Sequence, residues 1–180
     1  NKLITDAING EASAFGFLYS KYQPQIYRFI LLKVSQREEA EDLTHQVFLS
    51  AWHGIPRYKP REHPFHSWLY KIARNKVIDH YRSKKETQSL ENLESHADNS
   101  SKSLESAFEV KNNALKIRQA LKLISERDAE VITLRFIEEL SIKETSQIMN
   151  ISEANIRVIQ HRAIKELQII LDNKTNEHLV

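Results

Sequence analysis

Apolar side chains recur three and four residues apart through most of the chain, the spacing that gathers them on one side of an α-helix. Ala14, Phe17, Leu18 and Tyr22 form one core stripe and Ile26, Phe29, Ile30 and Val34 a second, with a break expected near Pro24. After the charged stretch Gln36 to Glu39, the positions Leu43, Val47, Phe48 and Ala51 mark one face of another helix, which Gly54 and Pro56 end. Its acidic start, Glu38 to Asp42, suits the positive end of the helix dipole. A loop rich in proline and charge, Arg57 to Pro64, leads into a long amphipathic helix on Trp68, Leu69, Ile72, Ala73, Val77, Ile78 and Tyr81, with basic residues mostly on its other face.

The periodicity then stops. From Thr87 to Phe108 the chain carries Glu91, Glu94, Asp98 and Glu105 against Lys102 alone, with many Ser and Asn, and has too little apolar surface to fold by itself. From Glu109 the helical period returns at Ala114, Ile117, Leu121 and Ile124, followed by a helix carrying Val131, Leu134 and Phe136. A short helix is expected from Ser141 to Met149, with Ser141 as N-cap and Glu144 as its capping-box partner, and Asn150 in the left-handed conformation that stops it. Ser152 caps a last helix whose apolar side is Ile156, Ile159, Ala163, Ile164 and Leu167. The pattern predicts an all-α protein: two small helical domains, 9–86 and 109–172, joined by a flexible acidic linker, 87–108. The segments before Asn9 and after Asp172 give no signal. Domains below about 80 residues have thin cores, which association with a larger partner would reinforce.

Composition sharpens this picture. Only 3 Gly and 4 Pro in 180 residues argue against a turn-rich β fold. The absence of Cys excludes disulfides, thiol catalysis and Cys-type zinc sites, and suits a reducing cytoplasm. No apolar run approaches the roughly 20 residues of a membrane span, and no signal-peptide pattern is visible, so a soluble, cytoplasmic chain without membrane insertion is expected. The net charge of +2 is unremarkable, but between Arg57 and Lys85 nine Lys and Arg face only Glu62 and Asp79, a density that commonly meets phosphate.

The run Ser141 to Arg157 has the form of a helix-turn-helix, whose second helix enters the major groove and presents side chains to base edges. Asn155, Arg157, His161, Arg162 and Lys165 are expected outward. Any short αα-hairpin gives the same spacing, with Arg157, Arg162 and Lys165 then a solvated face. Small Ser146 lies where two such helices approach.

The segments Asp42 to Trp52, Phe65 to Asn75 and Ile78 to Arg82 resemble region two of bacterial sigma factors of the extracytoplasmic-function branch. Leu123 to Phe136, the helix-turn-helix and Ile156 to Leu167 resemble region four. Response regulators share a similar helix-turn-helix, so region four alone says little; both regions in order are specific. The resemblance implies an RNA polymerase subunit that directs promoter-specific initiation, with core polymerase and promoter DNA as partners, and no catalytic site or cofactor. Such factors commonly have an inhibitory anti-sigma partner covering the same surfaces.

The resemblance also implies roles. Asp42, Leu43, Gln46, Val47, Phe48 and Trp52 match the segment that docks on the clamp helices of the polymerase largest subunit. Leu43, Val47 and Phe48 read equally as core, leaving Asp42, Gln46 and Trp52 as the better contacts. Many relatives have Gln-Glu where this chain has His45-Gln46. Lys59, Arg61, Lys71, Arg74 and Lys76 match the minus-ten segment as cations for the displaced strand, and His66, Trp68, Tyr70 and Asn75 as groups that could capture an extruded base. Trp68 falls with Leu69 and Ile72 and reads also as core. The minus-thirty-five readers align with Asn155, Arg157, Val158, His161 and Arg162, with Ser152 opening the helix and Lys165 suited to phosphate. Asn150 stands where Gly is frequent and Thr145-Ser146 where an apolar-Ala pair is frequent, which predicts looser packing of the turn.

Two other functions compete. A stand-alone transcription regulator would account for the second domain but leave Asp42 to Arg82 without a role. A histidine-dependent hydrolase or metal protein is suggested by His45, His53, His63, His66 and His80, but no His-Glu-x-x-His spacing, phosphate loop or nucleophile elbow accompanies them.

Overall fold

The computed structural model describes residues 2–34, 36–90 and 117–177, with side chains described for 2–34, 36–85 and 117–172. These residues contain helices and turns and no strand. The first half comprises α1 (Lys2–Ile8), α2 (Ala12–Val34), α3 (Arg37–Gly54), a 3₁₀ turn at Ile55–Arg57 and α4 (Phe65–Leu90). The second half has a helical stretch at 117–121, then α5 (Glu126–Ile132), a π-helical turn at Thr133–Ile137, α6 (Ile142–Met149) and α7 (Glu153–Glu177). Most of the expected linker, from 91 onward, and Ala114 lie outside the described residues.

Helices α2, α3 and α4 bury the predicted stripes against one another. Ile26, Phe29, Ile30, Val47, Ala51, Leu69 and Ala73 are all at most 1% exposed. Aromatic edges lock the bundle: Phe15 meets Trp52 at 5.0 Å, Tyr19 meets Phe48 at 4.6 Å and Phe29 meets Tyr70 at 5.4 Å between ring centroids. Gly54 ends α3 under the Trp68 ring, where a Cβ would come within 3.2 Å of it.

Several expectations are corrected. Helix α2 runs through Pro24 without a break; proline withdraws one amide from the ladder, but apolar residues on both sides anchor the helix to the core. Phe17 is 67% exposed and Ile117 47%, because Phe15 and the turn after 121 take the inward positions. Phe136 is 51% exposed because the wider π turn rotates it outward while Leu134 stays buried. The segment before Asn9, silent in sequence, forms α1, which inserts Ala7 into the core and turns at Gly10 with φ of 95°.

The two halves do not keep separate cores. Val131, Leu134, Leu140, Ile148, Met149, Ile156 and Ile159 of the second half join the same buried cluster as the α2–α4 residues. Among the described residues Leu121, Ile124, Ile132 and Ala163 form a separate satellite cluster under α7. A thin second domain thus gains its missing apolar cover from the first.

Candidate functional site

The helix-turn-helix forms as its caps predict. Ser141 Oγ accepts the Glu144 amide at 3.2 Å, while the Ser141 amide donates to the Glu144 carboxylate at 2.8 Å, completing a capping box. Asn150 ends α6 at φ 55°, ψ 47°. Thr145 is fully buried, with its hydroxyl donating to the Ser141 carbonyl at 2.9 Å, so the polar substitution costs no unpaired group. The expectation of loose packing is corrected on this point. Ser152 Oγ accepts the Asn155 amide at 3.2 Å and opens α7.

Ser152, Asn155, Arg157, Val158, His161, Arg162 and Lys165 all lie exposed on α7, with Val158 at 66%. Among the described residues Arg157 makes an exposed pair with Glu153, at 3.3 Å. Arg162 differs: it donates through Nε at 3.2 Å, and through Nη2, to the carboxylate of Asp128, whose side chain is 3% exposed. That hydrogen bond, with the charge of Asp128, raises the Arg162 pKa. Arg162 therefore ties α7 to α5 as well as facing outward.

On α3, Asp42, His45, Gln46 and Leu49 share the solvent face and Trp52 is half-buried against Phe15. Leu43, Val47 and Phe48 are 4%, 0% and 3% exposed, so they serve the core and not an outer contact; the helical period that stacks them together also turns them inward. Leu49 is 58% exposed, a large apolar group beside Gln46 that the sequence reading passed over. Its signal was its place three residues after Gln46 and seven after Asp42.

The minus-ten candidates divide. Lys59, Arg61, Lys71 and Asn75 are exposed and Lys76 half-buried; Lys59 pairs loosely with Glu62 at 3.1 Å. Trp68 is wedged against Tyr58 at 4.9 Å and Phe65 at 5.5 Å, which favours its core role. The remaining three are engaged by the second half. Tyr70 is 2% exposed, and its hydroxyl donates to Glu138 Oε2 at 2.6 Å; burial, then this carboxylate, raises its pKa. In this arrangement its ring cannot stack on a base. Arg74 Nε lies 3.2 Å from Glu130 Oε1, and His66 Nε2 lies 2.6 Å from Glu144 Oε1.

Two further cations complete this seam. Arg28 grips Glu138 with a fork, Nε to Oε1 at 2.9 Å and Nη2 to Oε2 at 2.8 Å, which raises the Arg28 pKa. Lys33 Nζ stands 3.1 Å from Glu130 Oε1. Glu130 Oε1 forms no directed hydrogen bond with Lys33 or Arg74, so charge holds this oxygen between them. Burial pushes the Glu144 carboxyl up, but hydrogen bonds from the Ser141 hydroxyl and amide and from His66 outweigh it and hold the pKa below the ordinary value. No sequence signal could have found Arg28 with Glu138, which are 110 residues apart.

Among the described residues no group of three His, Cys, Asp or Glu side chains could hold a metal. No helix of the described residues is long and apolar enough to cross a membrane.

A family model of sigma-70 region 2 matches residues 18–87, and one of sigma-70 region 4 matches residues 120–168. The chain is 35% identical over 173 residues to the extracytoplasmic-function sigma factor BldN of Streptomyces coelicolor. The chain belongs to the sigma-70 family, in its extracytoplasmic-function branch. The BldN match covers 94% of this chain and 65% of that protein, so the chain spans just under two thirds of its length. SigM of Bacillus subtilis is 29% identical over 164 residues, covering 89% of this chain and 96% of SigM. In fold the chain is similar to CnrH, solved with the cytosolic domain of CnrY, at a TM-score of 0.74 and 22% identity, covering 95% of this chain and 96% of that one. RpoE of Bartonella quintana, solved with the anti-sigma factor NepR, gives 0.71 and 20%, covering 88% and 96%. Sigma factors are non-catalytic initiation subunits, which removes the hydrolase reading.

Proposed function

We propose that this sigma factor binds core RNA polymerase in the cytoplasm and directs promoter-specific initiation, using region two, about residues 9–86, for core docking and the minus-ten element, and region four, about 109–172, for the minus-thirty-five element. The observation that carries this reading is the presence of both sigma regions in order, the second with a fully capped helix-turn-helix whose outer face is Asn155, Arg157, Val158 and His161. Arg can bind guanine and Asn adenine bidentately, and Val158 offers an apolar contact for a thymine methyl. Lys165 suits phosphate, and Arg162 shares its guanidinium between α5 and the DNA face. On α3, Asp42, Gln46, Leu49 and Trp52 form the core contact, a mixed polar and apolar patch of the kind protein interfaces use. Lys59, Arg61, Lys71, Arg74 and Lys76 hold the displaced strand, with His66 and Asn75 beside it. An anti-sigma factor is a further partner, in keeping with the complexes in which CnrH and RpoE were solved.

Runoff transcription tests this directly: the purified chain is added to sigma-free core polymerase with a library of promoter fragments. Selective initiation from some fragments is expected. Absence of both initiation and core binding would return the chain to the stand-alone regulator reading.

A further inference from the structure

Arg135 sits in the π-helical turn Thr133–Ile137, and its guanidinium reaches two parts of the helix-turn-helix at once. Nη1 donates to the Leu140 carbonyl, one residue before the N-cap of α6, and Nε donates to Gln160 Oε1 on α7 at 2.9 Å. The second bond fixes an orientation as well as a place. A guanidinium has donors and no acceptor, so the side of the Gln160 amide that meets it is the oxygen, and the NH2 group is turned away. Gln160 is half-buried, between buried Ile159 and exposed His161, and stands three residues after Arg157 on the same side of α7. It therefore borders the outer face formed by Asn155, Arg157, Val158 and His161. A free glutamine can offer a base edge one donor and one acceptor, the pairing that reads adenine. Held by its oxygen, Gln160 offers donors alone. Backbone phosphates flank the bases and carry acceptors alone, so they are the complement of such a group. Because the amide is already oriented, little side-chain freedom is lost when it binds.

We propose that Gln160 is a further DNA contact of region four, donating to a backbone phosphate beside the minus-thirty-five bases, and that Arg135 is the positioning residue that turns its NH2 group outward. This rests on the assignment of α7 to the minus-thirty-five element. Such a contact fixes the register of α7 in the groove and reads no base itself.

The test uses the full chain assembled with core polymerase and a fluorescein-labelled promoter duplex taken from a fragment that initiates in the runoff assay. Across the minus-thirty-five element, one phosphate at a time is replaced by a methylphosphonate, which is uncharged and has lost one acceptor oxygen. Wild-type affinity is expected to fall at each linkage the protein holds. Gln160→Met should bind the unmodified duplex about fivefold to tenfold more weakly. It should also lose the penalty at one linkage while keeping the rest of the wild-type profile. Arg135→Met leaves the amide free to turn and should lose part of the penalty at that same linkage, whereas Arg135→Lys still donates and should keep it. Gln160→Met with every penalty intact would overturn the contact. A linkage silenced by Arg135→Met and not by Gln160→Met would overturn the positioning role, making Arg135 the group that holds the phosphate. Should a Met variant unfold by circular dichroism, Gln160→Glu keeps an oxygen for Arg135 and sets an anionic one against the phosphate. It should bind the native duplex more weakly and regain affinity when that one linkage is made neutral; an equal response at all linkages would overturn the proposal. Selective promoter binding with no linkage that depends on Gln160 rejects this contact and keeps the sigma function. No core binding and no selective initiation rejects both.

Discussion

Helix α6 has eight residues and little else to fix its first turn, so its N-cap is the place where one hydroxyl should be felt. In Ser141→Ala the Glu144 amide loses its acceptor at 3.2 Å, and the Glu144 carboxylate loses the hydroxyl that donates to it at 2.6 Å. The donation from the backbone amide at 2.8 Å survives. Loss of an N-cap Ser costs about 0.5–2 kcal/mol. Two hydrogen bonds disappear here, one of them to a charged group, but Ser141 is exposed and water replaces part of both, which points to about 1–2 kcal/mol. With a urea m-value of about 2 kcal/mol/M, the unfolding midpoint should fall by about 0.5–1 M with m unchanged. A midpoint shift below about 0.2 M would refute the reasoning. The same box predicts a pH dependence. The folded-state pKa of Glu144 lies below its ordinary value of 4.5, so the stability it contributes is fully present above that value and is lost as pH falls through the folded value. The stability gap between wild type and Glu144→Gln at neutral pH should therefore close below pH 4.5; a gap that widened there would reverse the sign of the argument.

Three further outcomes follow from the exposed faces. Arg157→Ala should weaken minus-thirty-five binding by about 1–3 kcal/mol. Its loss should leave stability within about 0.5 kcal/mol, since its partner among the described residues is Glu153 in an exposed i,i+4 pair; undiminished promoter affinity by fluorescence anisotropy would remove it from the reading helix. Arg162→Ala should lower the thermal midpoint because buried Asp128 loses its guanidinium, and loss of DNA binding with an unchanged midpoint would show that Arg162 serves DNA alone. Leu49→Asp should reduce capture of core polymerase in a pull-down while leaving the melting curve within experimental error, because the side chain is 58% exposed and packs little of the core; full capture would take Leu49 out of the docking face.

What was legible in the sequence was local. The Ser141 and Glu144 pair, the left-handed Asn150 and the Ser152 cap each depend on residues within four positions of one another, and all form as read. The inward stripe of α4, Leu69, Ala73 and Val77, follows from a single period. The errors come where that period fails to be uniform. The π turn at Thr133–Ile137 adds a residue to one turn, so Phe136 swings outward while Leu134 stays inside. Pro24 was read as a break from its missing amide, although a helix of 23 residues anchored by buried groups on both sides tolerates one lost bond.

The seam between the halves was illegible for a different reason. Arg74 reads from sequence as a cation for a displaced strand and His66 as a group that could capture a base, but a sequence shows such groups without the carboxylates that meet them, and Glu130 and Glu144 sit 56 and 78 residues away on helices read for other roles. The same ambiguity governs function. A basic face that pairs equally well with carboxylate or phosphate has its occupancy decided by which anion is delivered at higher effective concentration.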